Sequence, residues 1–321
     1  MGMDTPRTLL EAVTFFANPD NCRDYLVARR WPKGVTCPTC GSKAVYFDKS
    51  RNGWECKTRH PQRKFTLKTG TIFEDSPLGL DKWLPTVWMI ANCKNGVSSW
   101  EIHRAIGVTQ KTAWFMLHRI RLAMQDKSGG KLGGEVEVDE TFIGGKARNM
   151  HKGRKARAIK GTGGMGKVAV MGLLERHGAK GHSTVRTQIV NNTKRALLHA
   201  AVRATVEKDS TVYTDALKSY EGLNEDYVHG VIDHAEAYVD GQVHTNGCEN
   251  FWSLLKRGLN GTYVSVEPFH LFRYLDEQAF RFNNREDMND CDRFSAAING
   301  IVGRRVMYKE LIGATDPVSP E

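Results

Sequence analysis

No stretch of this 321-residue sequence approaches the roughly 20 consecutive apolar residues that a membrane-spanning helix requires; runs such as VAVMGLL, Val168 to Leu174, stop far short of it. The opening residues, MGMDTPRTLLEAVTFFANPDNC, lack the basic, apolar and small-residue order of a secretion signal, so export is not expected. Cysteine is scarce and odd in number, with seven residues at 22, 37, 40, 56, 93, 248 and 291, of which only Cys37 and Cys40 are close together. That argues against a secreted disulfide framework and for a reducing cytoplasm with one metal site. Internal repeats and long low-complexity tracts are also missing.

Positive charge, by contrast, is in surplus. Lysine and arginine number 46 against 36 acids, a net charge of +10 with pI near 9.2. The balance favours a polyanionic partner, double-stranded DNA ahead of an acidic membrane surface, and hence a cytoplasmic, nucleoid-associated protein. At 26% charged and 40% apolar residues the composition is that of a globular chain long enough for two or three units.

Composition divides the chain into a multidomain α/β arrangement. Residues 1–75 are rich in Cys, Trp, Arg and Lys, residues 76–128 read as helices, 129–134 form a glycine-rich linker, 135–300 alternate strands and helices, and 301–321 are a tail. Strands are predicted at Glu135 to Val138, Val168 to Leu174, Thr184 to Val190, Thr211 to Tyr213 and Tyr227 to Ile232. Helices are predicted at Thr193 to Glu207, Gly247 to Leu259 and Pro268 to Phe282. Between the first two strands lies an acid-free segment, Gly144 to Lys167, carrying Lys152, Arg154 and Lys155 among other bases; a mobile loop touching DNA phosphates is expected there.

CPTCG and WECKTRH set Cys37-x2-Cys40 against Cys56-x3-His60. A CxxC turn places two thiolates on one ion and a second turn completes a tetrahedral set. Arg59 stands where the second cysteine of a second CxxC would fall, so His60 is read as the fourth ligand of a zinc ribbon. Four protein ligands leave no open position, which makes the Zn2+ structural. Lys43, Arg51, Lys57, Arg59, Arg63 and Lys64 nearby suggest contact with DNA backbone.

Ser98 and Glu101 lie at capping-box spacing, Gly107 makes a turn, and Thr109 restarts a second helix. Two short helices about a glycine turn predict a helix-turn-helix, against the plainer reading of a helical hairpin. In such a motif Gln110, Lys111 and Thr112 would face the major groove and Arg119 a phosphate.

Three acids carry the chemistry of the third part. EVEVDETFIGGK reads as a strand that ends on Asp139 and Glu140, TVYTDALKSY as a short strand running into Asp215, and HTNGCENFWSLLKRG as an amphipathic helix opening near Glu249. Two-metal phosphodiester cleavage needs carboxylates gathered in this way. Each acid also has a local reading: Asp215 as a helix N-cap, and Glu249 as the third residue of a capping box on Asn246. Trp252, Ser253 and Lys256 share the face of Glu249, so Lys256 and Arg257 could sit near a scissile phosphate, while Phe251, Leu254 and Leu255 belong to a core. The roles of Glu140, His234 and His244 stay open, and Cys248 is read as a small buried hydrophobe.

VEVDETFIGGK, YTDALKSY, HTNGCENFWSLLKRGLNGTY and LFRYLDEQAFRFNNR, with CPTCG and KFTLKTGTIFEDSPLGLDKWL upstream, resemble the ISXO-like DDE transposases of bacterial insertion sequences, over about Leu26 to Asn299. The resemblance implies a ribonuclease H-like catalytic domain, a zinc ribbon and helix-turn-helix that bind terminal inverted repeats, and Mg2+ (or Mn2+) held by Asp139, Asp215 and Glu249. It also implies cleavage followed by strand transfer, and a homodimer or higher oligomer to hold two ends. That family often has a histidine after GTY, where this chain has Val264. The competing readings are a transposase-derived DNA-binding regulator without catalysis and a stand-alone two-metal nuclease.

Overall fold

A computed structural model describes residues 5–126, 129–145, 153, 167–177, 181–232 and 243–313. The basic residues Lys152, Arg154 and Lys155, and His234, lie outside them. The chain forms two compact units, one of residues up to Gln125 together with those from Asp287 onward, the other of Asp126–Glu286.

The first unit begins with helices α1 (Leu9–Phe16) and α2 (Pro19–Arg30), capped by the side chains of Thr8 and Asn18. A small antiparallel sheet follows, β1 (Val45–Asp48), β2 (Gly53–Cys56) and β3 (Lys64–Phe65), in the order β1-β2-β3. Helices α3 (Leu80–Asn92), α4 (Ser99–Ile106) and α5 (Gln110–Met124) complete the N-terminal part. Ser98 and Glu101 close the expected capping box, Gly107 ends α4 in the left-handed conformation at φ 62°, and Thr109 caps α5.

The residues after Asp287 return to this unit, and here the structure departs from the expected boundary at 300. Helix α9 (Asp290–Asn299) buries Phe294 among Phe16 of α1, Tyr25 of α2 and Trp88 of α3, with ring centroids 5.6, 5.7 and 5.1 Å away. An aromatic cluster of this kind is a hydrophobic core, so the segment folds with the helices and not with the sheet. Residues 301–313 of the expected tail are structured as well. Arg304 donates to the carbonyls of Leu122 and Gln125, and Val306 and Leu311 pack on Leu122.

The second unit is a five-stranded mixed sheet of β4 (Glu135–Ile143), β5 (Val168–Glu175), β6 (Thr184–Val190), β7 (Thr211–Asp215) and β8 (Val228–Ile232), in the order β6-β5-β4-β7-β8. β5 runs antiparallel to both β4 and β6, whereas β4, β7 and β8 are mutually parallel. Alternation along the strands sends side chains to two faces. Val136, Val138 and Val212 face helix α6 (Arg195–Thr205) through Leu198, Ala201 and Val202. Val170 and Leu174 face helices α7 (Asn246–Gly258) and α8 (Leu271–Asn283) through Phe251, Trp252, Leu255 and Phe282.

Candidate active site

The sheet register brings the first two acids together. β4 pairs with β7 only as far as Val138↔Thr214, one residue short of Asp139 and Asp215, which are next in register on each strand. β4 itself does not end at its acids as expected. It continues to Ile143 because β5 pairs with it throughout, so Asp139 and Glu140 sit where one neighbour has stopped and the other has not. Period-two alternation then separates the two acids by face: Asp139 shares the α7 face with Glu137, while Glu140 turns to the α6 face and accepts a hydrogen bond from Tyr220 Oη.

Asp139 is held on both oxygens. The backbone N–H of Glu140 donates to Oδ1 at 2.8 Å, and the indole Nε1 of Trp252 on α7 donates to Oδ2 at 2.9 Å. The indole reaches the carboxylate across Gly172, the β5 residue opposite Asp139. A Cβ on Gly172 would stand 2.6 Å from Trp252 Cζ2, so only glycine admits the ring.

Glu249 lies exposed in the first turn of α7, whose N-cap is Thr245. The capping box on Asn246 does not form, since Asn246 is already helical. The local reading of Asp215 is met only in part: it ends β7 and accepts from the N–H of Leu217 at 3.2 Å, an Asx-type turn, with no α-helix following it directly. Burial raises the Asp139 carboxyl to about 6; the Trp252 indole bond works against that, and the nearby charges of Asp215 and Glu249 add to it. Glu140 is pushed to about 8 by burial and then by Asp215 and Asp139. Asp215 and Glu249 thus both act electrostatically on Asp139.

Sequence reasoning missed the group beneath them. Glu137 is 1% exposed and bonded to Arg176 Nε at 2.7 Å and to the backbone N–H of Cys248 at 2.9 Å. His244, whose role was open, joins this network through Arg176 at 2.7 Å. A charged residue on the inward face of a strand was the available signal. Cys248 is fully buried as expected, with its thiol shifted well upward by burial and then by Glu137.

In the first unit, Cys37 Sγ lies 3.4 Å from His60 Nε2 and Cys40 Sγ lies 3.7 Å from Cys56 Sγ. A tetrahedral zinc with bonds of about 2.3 Å to sulfur and about 2.0–2.1 Å to nitrogen puts ligand atoms about 3.5 to 3.8 Å apart, so the four fit the ion. Among the described residues this is the one set of three or more such ligands whose ligating atoms all lie within 4.8 Å.

The DNA-contact candidates fare unevenly. Lys111, Lys256 and Arg257 are exposed. Gln110 donates to Ser99 Oγ at 2.8 Å, linking α5 to α4, and the Thr112 hydroxyl is hydrogen-bonded to that of Thr109. Arg119 is a correction. It is 3% exposed, donates to the carbonyls of Glu74 and Val306 and lies over the Phe115 ring, so it braces the unit from inside instead of meeting a phosphate. No helix among the described residues is long and apolar enough to cross a membrane.

Residues 131–283 match the model of the ISXO2-like transposase domain, and residues 17–58 that of the transposase zinc-ribbon domain. A protein of the transposable element ISH50 from Halobacterium salinarum is 29% identical over 256 residues, 76% of this chain and 84% of that one. A transposase-like protein from Haemophilus influenzae is 36% identical over 117 residues, 36% of this chain and 94% of the relative. With the ribbon ligands assembled and the sheet domain matched along nearly all its length, the chain belongs to the ISXO2-like transposase family.

Proposed function

We propose that this chain is an active DNA transposase that binds the terminal inverted repeats of an insertion sequence and cuts and joins DNA by two-metal catalysis. The observation that supports the reading best is that Asp139 and Asp215 are next in register on two parallel strands whose pairing stops there, with the charges of Asp215 and of Glu249, in the first turn of α7, both acting on Asp139. Three carboxylates supply the hard oxygen donors that Mg2+ or Mn2+ prefers, and a divalent cation would offset what raises Asp139, burial first and then the charges of Asp215 and Glu249. The sheet order, with one central strand parallel to β7 and antiparallel to β5, is consistent with a ribonuclease H-like fold.

In this reading Asp139 would be the central ligand of the catalytic ions, with Asp215 and Glu249 completing the set. Bound metal would activate water for cleavage at the element's end and then the freed 3′-hydroxyl for attack on target DNA. Trp252 and the Glu140 amide hold Asp139 in orientation, and Lys256 and Arg257 lie one to two turns along the same helix, where exposed cations can meet the phosphate backbone. Helices α4 and α5 serve as a helix-turn-helix with Lys111 outward, and the ribbon offers Lys43, Lys57, Arg59 and Lys64 as exposed cations. The protein works on the nucleoid in the cytoplasm, as a dimer or larger assembly that pairs two ends.

The test is cleavage and strand transfer of a labelled element end with Mg2+, comparing wild type with Glu249→Gln. Products that require metal and vanish in the variant support the reading. A variant as active as wild type removes Glu249 from the site, and a wild-type protein that binds the repeats but never cuts them favours a regulator.

A further inference from the structure

Helix α7 carries the third acid, and its first turn is bound to the sheet by a buried ionic clasp. The Glu137 carboxylate accepts the N–H of Cys248, next to Glu249, at 2.9 Å, and the Cys248 thiol sits 3.7 Å from the Glu137 carbonyl. On its other oxygen Glu137 takes Arg176 Nε at 2.7 Å, both side chains being under a tenth exposed. Arg176 then donates through Nη2 to the carbonyl of His244, just before α7, at 2.7 Å, and its guanidinium lies 4.4 Å from the ring centroid of Tyr213.

Three members of the clasp each stand close in sequence to a different acid of the set. Glu137 precedes Asp139 by two residues on β4, Tyr213 precedes Asp215 by two on β7, and Cys248 immediately precedes Glu249 on α7. Two residues is one period of a strand, so Glu137 and Tyr213 point to the same face as the acids they precede. The fit is close: a Cβ on Gly247 would lie 2.8 Å from Glu137 Oε2 and 3.0 Å from Leu174 Cδ2. A buried charge pair gives little net stability but is costly to break, and its directional bonds fix one arrangement of the parts it joins.

We infer that Glu137 and Arg176 are positioning residues that lock the start of α7 to β4 and β7, so that Glu249 is delivered to the metals held by Asp139 and Asp215. The inference rests on the metal site proposed above. Partners that orient metal ligands without touching the ion typically govern affinity for it by roughly 10- to 100-fold. A clasp that positions α7 should therefore set the metal concentration the enzyme needs, more than the rate it reaches once saturated.

The experiment is Mn2+ binding to the full zinc-loaded chain by isothermal titration and, beside it, nicking of a supercoiled plasmid carrying the element, both as a function of Mn2+ concentration. It compares wild type with Arg176→Lys, Glu137→Gln, Gly247→Ala and Asp139→Asn, at a temperature where circular dichroism shows each variant folded. For the first three variants the half-saturating Mn2+ should rise by roughly 10-fold or more, with the plateau rate largely regained. Folded variants with wild-type half-saturation, or with a lowered plateau at unchanged half-saturation, overturn the inference. Should the Glu137 and Arg176 variants fail to fold, Gly247→Ala decides alone, because it presses a methyl against the clasp while leaving both of its side chains in place. Asp139→Asn separates the two levels: nicking at the wild-type rate defeats the metal site itself, whereas a dead Asp139→Asn beside unaffected clasp variants defeats only the positioning role.

Discussion

Replacing Gly172 by alanine puts a methyl group where the Trp252 indole already lies. The new Cβ would be 2.6 Å from Cζ2 and 2.9 Å from Cη2 of a ring that is itself only 4% exposed and bonded to Asp139. If ring and strand both hold, overpacking costs about 1–3 kcal/mol. If the indole retreats, a hydrogen bond to a charged acceptor worth about 1.5–3 kcal/mol is lost instead. Either way Gly172→Ala should destabilise the sheet unit by about 2 kcal/mol, which for a unit of this size lowers its melting temperature by about 4–8 °C. Calorimetry of the full chain measures the shift. Because the clash involves the outer ring of the indole, Trp252→Phe should partly rescue Gly172→Ala, and the double variant should cost less than the sum of the singles. A Gly172→Ala protein that melts like wild type, or strict additivity in the double variant, would refute the packing argument.

Four further outcomes follow from other parts of the molecule. Purified protein should carry about one zinc per chain by elemental analysis, and Cys56→Ser should lose it together with cooperative melting of the ribbon; a variant that keeps its zinc would show that the ligand set is wrong. Arg119→Ala should leave the carbonyls of Glu74 and Val306 without their donor and destabilise the protein by about 1–3 kcal/mol, with no change in the salt dependence of DNA binding. Lys111→Ala should do the reverse, reducing the log–log salt slope by about 1 while costing at most about 0.5–1 kcal/mol for the loss of its exposed contact over the Tyr308 ring. His199, buried on α6, and His229, half-buried on β8, have pKa values lowered by burial first and then by Arg195 and Arg203 for His199 and by His199 for His229. The unfolded chain therefore takes up protons that the folded one resists, so stability is complete above the ordinary histidine pKa of about 6.5 and is lost as pH falls below it. Over the same window the raised Asp139 and Glu140 carboxyls act the other way, taking up protons in the folded chain, so the histidine contribution is read as a difference. In urea titrations between about pH 7.5 and 5, His229→Gln should lose less stability, or gain more, than wild type as pH falls, and an identical pH dependence in the variant would refute it.

Much of the fold was legible because it rests on local signals. The β-branched alternation of β5 and β6, the capping box at Ser98 and the CxxC turn are each written within a few residues, and the structure has them where the sequence placed them. The errors came where a distant partner decides. β4 was cut short at Val138 because charged residues resemble a strand end, and only β5 on its far edge keeps it extended to Ile143. Arg119 was read as outward because a basic residue usually is, yet every residue from Met116 to Met124 is buried by packing that the helix's own pattern does not announce. The apolar residues of α9 show that it is packed, not that its partners lie some 200 to 280 residues earlier.

The candidate site divides in the same way. Asp139, Asp215 and Glu249 were nominated by their places at strand and helix ends, whereas their support was not. Trp252 and Asp139 are 113 residues apart, and Cys248 and Glu137 are 111 apart. No spacing rule reaches so far in a single sequence. The traces left behind were two glycines inside regular elements, Gly172 and Gly247, each marking a side chain that comes too close for a Cβ.

The central claim is that three carboxylates hold the metals that cut DNA. Anomalous diffraction from crystals of the full chain bound to an element end with Mn2+ tests it most directly. The account predicts two peaks about 3.5–4 Å apart, both in contact with Asp139 and each completed by Asp215 or Glu249. Peaks that avoid Asp139, in a complex that still cleaves its DNA when the crystals are dissolved, would contradict it.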